Sequence, residues 1–277
     1  MDFNFLNKIN KNLIINYKMC DCRFHEKNGS LWSYKNRSNW LSTYQKYSSI
    51  FKTPINIESN FLENLIDDKM EINWSSKQKL YSYPNSNFIQ YNPVGEVESH
   101  VLLKGKKYYL SNIHFHSSAE NTVDRLYYPM EAHAVHVHIN PSNDEQEFLV
   151  IGLQFNLIEN KNKIEQSLLA KNLINNYGKE IVLDLSIYNN LTKNNFYRWL
   201  GTLTTPPFSE DIIFNLWTPD NVDNIKMGIL FEDSINYNRF FGDSRDKITD
   251  EYKLNRRYNS LKKENILVVK NVIKKNN

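Results

Sequence analysis

Five of the seven histidines of this 277-residue chain lie in one short segment, between His114 and His138. The segment opens with residues 108–116, whose aromatic and β-branched residues and lack of breakers predict a strand. Residues 130–139 predict a second strand by the same criterion. The polar residues 117–129 between them are long enough to return the chain antiparallel, so we expect the two strands to be neighbours.

The alternation of side chains along a strand groups the histidines of the first strand. Residues two apart point to the same face of a sheet, so His114 and His116 project together with Asn112, whereas Phe115 projects to the other face. Because neighbouring strands lie about 4.8 Å apart, one imidazole of the second strand can meet the two of the first. Three neutral imidazoles with an open fourth position make a catalytic zinc site, in which bound water has a pKa of about 7.

The second strand presents histidines on both of its faces. His133 shares a face with Glu131, whereas His136 and His138 lie on the opposite face. A metal-bound histidine usually donates its other ring N–H to an acceptor, and Glu131 and Asn112 are suitably placed acceptors. On spacing alone, a second interpretation stays open, in which these histidines are packed core or surface residues.

The pattern of the remaining residues predicts short strands and a few helices. It contains no internal repeat and no linker, so we expect one domain. Apolar residues at helical spacing predict a helix over residues 164–177 that ends at Gly178, and Asp220 is a candidate N-cap for a helix reaching Leu230. Further strands are predicted at residues 71–74, 88–91, 99–103 and 147–156.

Two long motifs of the chain resemble those of the α-class carbonic anhydrases. The segment HFHSSAENTVD…YYPMEAHAVH, at residues 114–136, is similar to the zinc-binding signature of that family. The segment YRWLGTLTTPPFSE, at residues 197–210, resembles its second signature. Shorter matches follow in the family's order: WSY at 32–34, TPINI at 53–57 and NRR at 255–257. The resemblance therefore covers nearly the whole chain.

The resemblance implies a mostly β fold with peripheral helices, built as a single domain on a central, twisted, largely antiparallel sheet. We expect this domain at residues 28–262, after an N-terminal extension of residues 1–27 and before a basic amphipathic C-terminal tail of residues 263–277. The implied activity is the reversible hydration of CO₂ to bicarbonate and a proton through zinc-bound hydroxide. Inhibitors of the sulfonamide type are expected to bind.

The resemblance also assigns roles to individual residues. Thr204 matches the residue whose hydroxyl accepts a hydrogen bond from zinc-bound hydroxide, and its own proton would go to Glu120. Thr205 would help bind bicarbonate. The implied zinc ligands are His114, His116 and His133. The implied apolar wall for CO₂ consists of Val135, Val150, Leu203 and Phe214. The implied hydrogen-bond acceptors for the ligand rings are Glu131, Asn112 and the backbone of Asn255.

The chain departs from the family pattern at several positions. Asn87 stands where many fast members have a proton-shuttling histidine, and an asparagine does not titrate near neutral pH. We therefore expect slow proton export. Asn121 replaces a histidine, Trp199 replaces a tyrosine and Phe214 replaces a tryptophan. The resemblance places Asn121 and Trp199 in the network behind the metal, so we expect an effect on zinc affinity and ligand orientation, but none of these changes removes a ligand.

A different class of function also fits this resemblance. Some relatives have lost zinc ligands and act as binding modules, including poxvirus surface proteins that hold cell-surface glycosaminoglycans. Basic residues for such a role lie at 104–107, 256–257, 262–263 and 274–275. The ligand histidines are all kept here, together with Glu120 and Thr204, and this favours the enzyme. Binding to nucleic acid is not expected, because the net charge is only +3 and the basic and acidic residues are interleaved.

The two cysteines, Cys20 and Cys22, are too close in sequence to staple a domain. They could bind a metal, bridge two chains or remain ordinary thiols. No signal peptide and no membrane span are predicted, so we expect a cytoplasmic or virion-associated protein. A homo-oligomer formed through the N- or C-terminal extension stays open.

Overall fold

The computed structural model describes residues 53–59, 63–66, 70–83, 89–205, 209–241 and 266–270. The strands in this part of the chain are β1 (Asn56–Ile57), β2 (Glu63–Ile66), β3 (Glu71–Asn73), β4 (Gln78–Tyr83), β5 (Gln90–Pro93), β6 (His100–Leu103), β7 (Lys106–Ser117), β8 (Thr122–Val123), β9 (Met130–Ile139), β10 (Gln146–Ile158), β11 (Glu180–Leu183), β12 (Phe196–Gly201), β13 (Ile212–Trp217), β14 (Gly228–Leu230) and β15 (Ile266–Lys270). The α-helices are α1 (Leu168–Leu173) and α2 (Phe231–Phe241), and 3-10 helices span Asn160–Glu165, Ile174–Asn176, Ser186–Lys193 and Pro219–Asn221.

One mixed sheet of thirteen strands organises the described residues, in the order β11-β4-β5-β7-β9-β10-β13-β12-β15-β2, with β3, β6 and β14 paired alongside. Most neighbours are antiparallel, while β10 pairs in parallel with β13 and β14, and β15 pairs in parallel with β2. The strands β1 and β8 form a separate parallel pair. The predicted mostly β, single-domain fold is confirmed.

A β-bulge at Ser111 changes which face of β7 each residue occupies. The register of β7 against β9 shifts between Leu110 and Asn112, so one extra residue is inserted there. Tyr108 and Leu110 therefore lie in the same apolar cluster as Phe115, at even and odd positions of one strand. An unbroken alternation would place Tyr108 and Leu110 on the face of the histidines. Because of the bulge, one face of β7 carries apolar core residues and the other face carries polar residues.

The strand predictions hold well and the helix predictions hold in part. Strand β9 has the predicted bounds, and β7 contains the predicted residues 108–116. The predicted helix over 164–177 is interrupted, because Gln166 and Ser167 are extended and Ser167 donates its N–H to Gly228. Leu169, Leu173 and Ile174 of the predicted apolar face are buried, but Ile164 is exposed. The sequence also missed the pairing of this segment with another part of the chain.

The predicted helix from Asp220 to Leu230 is wrong. Only Pro219–Asn221 is helical, and Gly228–Leu230 pairs with the end of β10 as strand β14. The last residues of β10 need a hydrogen-bonding partner, and this tertiary demand outweighs the local cap signal. Helix α2 begins after that strand, at Phe231.

Several expectations concern residues at the two ends of the chain. The N-terminal extension, Cys20 and Cys22 lie outside the described residues. Five residues of the predicted tail, Ile266–Lys270, form β15 between β12 and β2. The boundaries at residues 27 and 262 stay predictions. In the described part of the chain, every helix is too short or too polar to cross a bilayer.

The described residues form two apolar clusters, and the larger one includes Trp74. His136 of β9 is fully buried beside Trp74. The indole Nε1 of Trp74 donates a 2.9 Å hydrogen bond to its Nε2, and the two rings stack. Burial lowers the pKa of His136 to about 3. An unfolded histidine titrates near pH 6.5, so between these pH values the unfolded chain binds more protons than the folded chain. The stability that the neutral ring contributes is therefore lost as the pH falls through this window.

We predict that His136→Gln, which keeps an acceptor for Trp74 but does not titrate, flattens the loss of unfolding free energy between about pH 6 and pH 4. The slope contributed by His136 is at most about 1.4 kcal/mol per pH unit. Urea unfolding at a series of pH values measures it. Equal slopes in wild type and His136→Gln would contradict the assignment.

Candidate metal centre

Three histidines from two neighbouring strands converge on one point. His114 of β7 lies directly opposite His133 of β9 in the antiparallel register, and His116 is two residues further along β7. The ring centroids lie 5.0 Å apart for His114 and His116, 5.3 Å for His114 and His133, and 4.8 Å for His116 and His133. One nitrogen from each ring lies within 4.8 Å of the other two, so the three rings are positioned to bind a metal ion.

Each ring has its second nitrogen beside an oxygen acceptor, which fixes the nitrogen that faces the centre. The Nδ1 of His114 lies 2.8 Å from Asn112 Oδ1, and the Nε2 of His133 lies 2.6 Å from Glu131 Oε1. The Nδ1 of His116 lies 3.4 Å from Glu120 Oε1. An N–H directed at each oxygen leaves the lone pair on His114 Nε2, His116 Nε2 and His133 Nδ1. Three neutral imidazoles fit Zn²⁺, which takes nitrogen ligands in tetrahedral geometry.

The carboxylate of Glu131 is completely buried and accepts four hydrogen bonds. Its Oε1 accepts from the Nδ2 of Asn121 at 2.7 Å as well as from His133, and its Oε2 accepts from the Asn121 backbone N–H at 3.0 Å. The Nε2 of Gln154 donates to Oε2 at 3.1 Å. Burial alone would raise the pKa of Glu131, but His133 and the amide donors outweigh it and hold the pKa below its usual value.

The protonation of the ligand rings follows from the same environment. Burial, together with the neighbouring His133, holds the pKa of His114 well below its usual value, so this ring is neutral and able to coordinate. For His133, burial works against protonation, but the carboxylate of Glu131 outweighs it and raises the pKa. Metal binding at Nδ1 of His133 therefore competes with a proton.

An apolar wall adjoins the imidazole of His133. Val135, Val150 and Phe214 are successive partners across β9, β10 and β13, and all three are buried. The Phe214 ring stands edge-on to the His133 ring at 6.0 Å and stacks on Trp199 at 5.1 Å. Leu203, partly buried, packs against the same cluster. The structure thus brings the four residues expected to hold CO₂ into one apolar cluster, which contacts the ligand ring of His133 through Phe214.

For the remaining predicted site residues, the structure shows only part of the expected contacts. Thr204 and Thr205 are half-buried in the loop after β12, which closes through a hydrogen bond from Leu203 N–H to Ser209 O. Glu120 Oε1 lies beside His116 Nδ1, and the relay of Glu120 with Thr204 stays a prediction. Asn87 and Asn255 lie outside the described residues, and their roles stay predictions as well.

Sequence reasoning missed Gln154, whereas the resemblance to the family placed Asn121 in the network behind the metal without giving its contacts. Asn121 donates twice to Glu131 and accepts the backbone N–H of Ile55 at 3.0 Å. Gln154 lies opposite Glu131 in the register of β10 and β9 and also donates to the Asn121 backbone oxygen. The available signal was a lone glutamine inside the apolar run FLVIGLQF, where an amide needs a buried partner.

A comparison with protein families identifies the family of this chain. Residues 35–222 match the eukaryotic-type carbonic anhydrase family, and this match covers more than half of the chain. The chain belongs to the eukaryotic-type carbonic anhydrase family. The resemblance described from the sequence motifs is thereby confirmed.

Individual carbonic anhydrases are related to the chain at low identity. Alpha carbonic anhydrase 6 of Arabidopsis thaliana is 33% identical over 115 residues, which cover 40% of this chain and 40% of the relative. The chain spans less than half the length of the Arabidopsis relatives that it matches.

Solved carbonic anhydrase structures share the fold. A hyperthermostable carbonic anhydrase from a hydrothermal vent chimney matches with a TM-score of 0.62 at 21% identity, covering 86% of this chain and 99% of that chain. The α-carbonic anhydrase of Thermovibrio ammonificans, solved with the inhibitor sulfanilamide, matches with a TM-score of 0.60 at 22% identity, covering 78% of this chain and 92% of that chain. At these identities the similarity establishes the fold.

We predict that Gln154→Met, which keeps the side-chain length but removes the amide donor, lowers zinc affinity by about tenfold, because Glu131 then orients His133 less tightly. Competition with a chromophoric chelator measures the affinity. Gln146→Met, an exposed position on the same strand, is the matched control and leaves the affinity unchanged. Equal affinities for both variants would show that Gln154 does not support the metal centre.

Proposed function

We propose that this chain is a zinc-dependent carbonic anhydrase that hydrates CO₂ reversibly to bicarbonate and a proton. The observation that carries the proposal is the convergence of the three imidazoles of His114, His116 and His133, each with its other nitrogen beside an acceptor. Membership of the carbonic anhydrase family supports it independently of this geometry.

The chain's own residues supply binding and orientation. Zn²⁺ held by the three rings would act as a Lewis acid and lower the pKa of a coordinated water to about 7. The apolar wall of Val135, Val150 and Phe214 offers an uncharged linear molecule a surface to which water binds poorly. Thr204 would orient the attacking oxygen and Thr205 would help hold bicarbonate, so both residues contribute by positioning.

Sulfonamide binding belongs to this proposal. The Thermovibrio ammonificans enzyme was solved with sulfanilamide, and its fold matches that of this chain. If the three imidazoles hold zinc, an ionised sulfonamide would bind to it, and the apolar wall would pack against the ring of the inhibitor. Sulfonamides are therefore expected to compete with the reaction.

The alternative function, binding of cell-surface glycosaminoglycans, has less support. Of the basic segments considered, only residues 104–107 lie among the described residues. There Lys106 forms an ion pair with Glu147, and Lys107 lies over the ring of Tyr109. These contacts are those of a solvated protein surface. Oligomerisation through the chain ends and the cellular location stay predictions.

The central test pairs metal analysis with stopped-flow CO₂ hydration. Wild-type protein is expected to hold about one zinc per chain and to show hydration that a sulfonamide inhibits. His133→Ala removes one of three ligands and is expected to lose both the zinc and the activity. His138→Ala, on the same strand but on the opposite face, is the matched control and retains both. Hydration that persists in His133→Ala, or an inactive zinc-loaded wild type, would refute the proposal.

Proton export provides a second prediction, at a residue outside the described part of the chain. With Asn87 at the shuttle position, we expect wild-type turnover to rise with imidazole concentration, because buffer must carry the proton away. Asn87→His is expected to raise turnover in weak buffer roughly tenfold or more and to remove most of the imidazole dependence. Asn85→His, two residues earlier, is the control and is expected to keep the wild-type dependence on imidazole. A fast wild type without a buffer response would place the proton path elsewhere.

A further inference from the structure

The hydroxyl of Tyr237, on helix α2, reaches into the sheet beside the metal centre. The side chain is 2% exposed. The hydroxyl donates to the backbone oxygen of Phe115 at 2.5 Å and accepts the backbone N–H of Ile89 at 3.4 Å. Phe115 is the residue between the two ligands His114 and His116. A helix that contributes nothing to the motifs thus touches the backbone that carries two of the three imidazoles.

The position of this hydroxyl is set by the end of the pairing between β5 and β7. Gln90 pairs with His114 and Tyr91 pairs with Ile113. One step further, Phe115 donates its N–H to Ile89 O at 3.3 Å, but the reciprocal bond is replaced by the hydroxyl, which bridges Ile89 N and Phe115 O. The tyrosine therefore extends the hydrogen bonding of the sheet to the residue that separates the ligands.

Because both the ring and the carbonyl group of Phe115 are held, the side-chain directions of His114 and His116 are restricted. Its ring is fully buried in the larger core, 6.4 Å from the ring of Phe155, and its carbonyl is held by Tyr237. Rotation of this residue's peptide planes would turn the Cα–Cβ bonds of His114 and His116 relative to each other. A metal site needs its ligand atoms held within about 0.5 Å of their productive positions.

We propose that Tyr237 is a positioning residue of the metal centre, which holds the Phe115 carbonyl so that the imidazoles of His114 and His116 converge with that of His133. The proposal rests on the zinc site proposed above. It adds a support for that site outside the residues that contact the ligand rings.

The test compares Tyr237→Phe with Tyr188→Phe. Tyr188 is also completely buried, and its hydroxyl bonds Ser167 Oγ at 3.0 Å and the Leu169 N–H at 3.1 Å, away from the three ligands. Each variant loses one buried hydroxyl and no carbon atom, so both are expected to lower the melting temperature. Only Tyr237→Phe is expected to lower zinc affinity, by about tenfold, and to change the visible absorption spectrum of the cobalt-substituted protein.

The outcomes separate this proposal from the proposed function. Wild-type protein that binds neither zinc nor cobalt would refute the zinc site and this proposal with it. Tight wild-type binding with equal affinities and spectra in the two variants would overturn the role of Tyr237 alone. A loss of affinity in Tyr188→Phe as large as in Tyr237→Phe would show a general effect of stability and would overturn it as well.

A second measurement on the unaltered protein applies where Tyr237→Phe does not fold. If metal binding and the hydroxyl bridge stabilise each other, zinc must slow hydrogen exchange at the amide of Ile89. The amide of Leu169, which donates to Tyr188, serves as the internal reference and is expected to exchange at the same rate with and without zinc. Equal slowing at both amides, or no change at Ile89, would overturn the proposal.

Discussion

The alignment of β7 against β9 is the constraint on which the metal centre depends. His114 faces His133 across the two strands, and a slip of one residue would turn every side chain of one strand to the other face. The bulge at Ser111 sets this alignment, because it lets Tyr108 and Leu110 enter the core while Asn112 and the histidines after it project away from it. The apolar residues of β7 therefore fix the register, and the polar site follows from it.

Burying polar groups beside such a core has an energetic cost that the hydrogen-bond network offsets. An uncompensated buried carboxylate would take up a proton, since desolvation raises its pKa. Glu131 avoids this through four donors from Asn121, Gln154 and His133. Asn121 lies in the segment between β7 and β9, and Gln154 lies on β10. The contacts that keep Glu131 ionised therefore also join β9 and β10 to that segment. Stability and ligand orientation share one set of bonds.

Much of this arrangement could be predicted from the sequence, and what was missed required tertiary information. Strand β9 was predicted with its observed bounds, since Pro129 and the turn after Ile139 delimit it. The bulge was not, because Ser111 carries no local signal for it. Gln154 and Tyr237 act on the ligands across strands or from a distant helix, and strand spacing reveals neither contact. The erroneous helix after Asp220 fails for the same reason, since β10 takes Gly228–Leu230 as its partner.

X-ray absorption at the zinc edge tests the central claim most directly, because it reports the ligands themselves. The account predicts four-coordinate zinc in the loaded protein, with three imidazole nitrogens at about 2.0–2.1 Å and one oxygen. Scattering from the outer atoms of three imidazole rings should accompany those distances. A spectrum with fewer than three imidazoles, or with sulfur in the coordination sphere, would contradict the account.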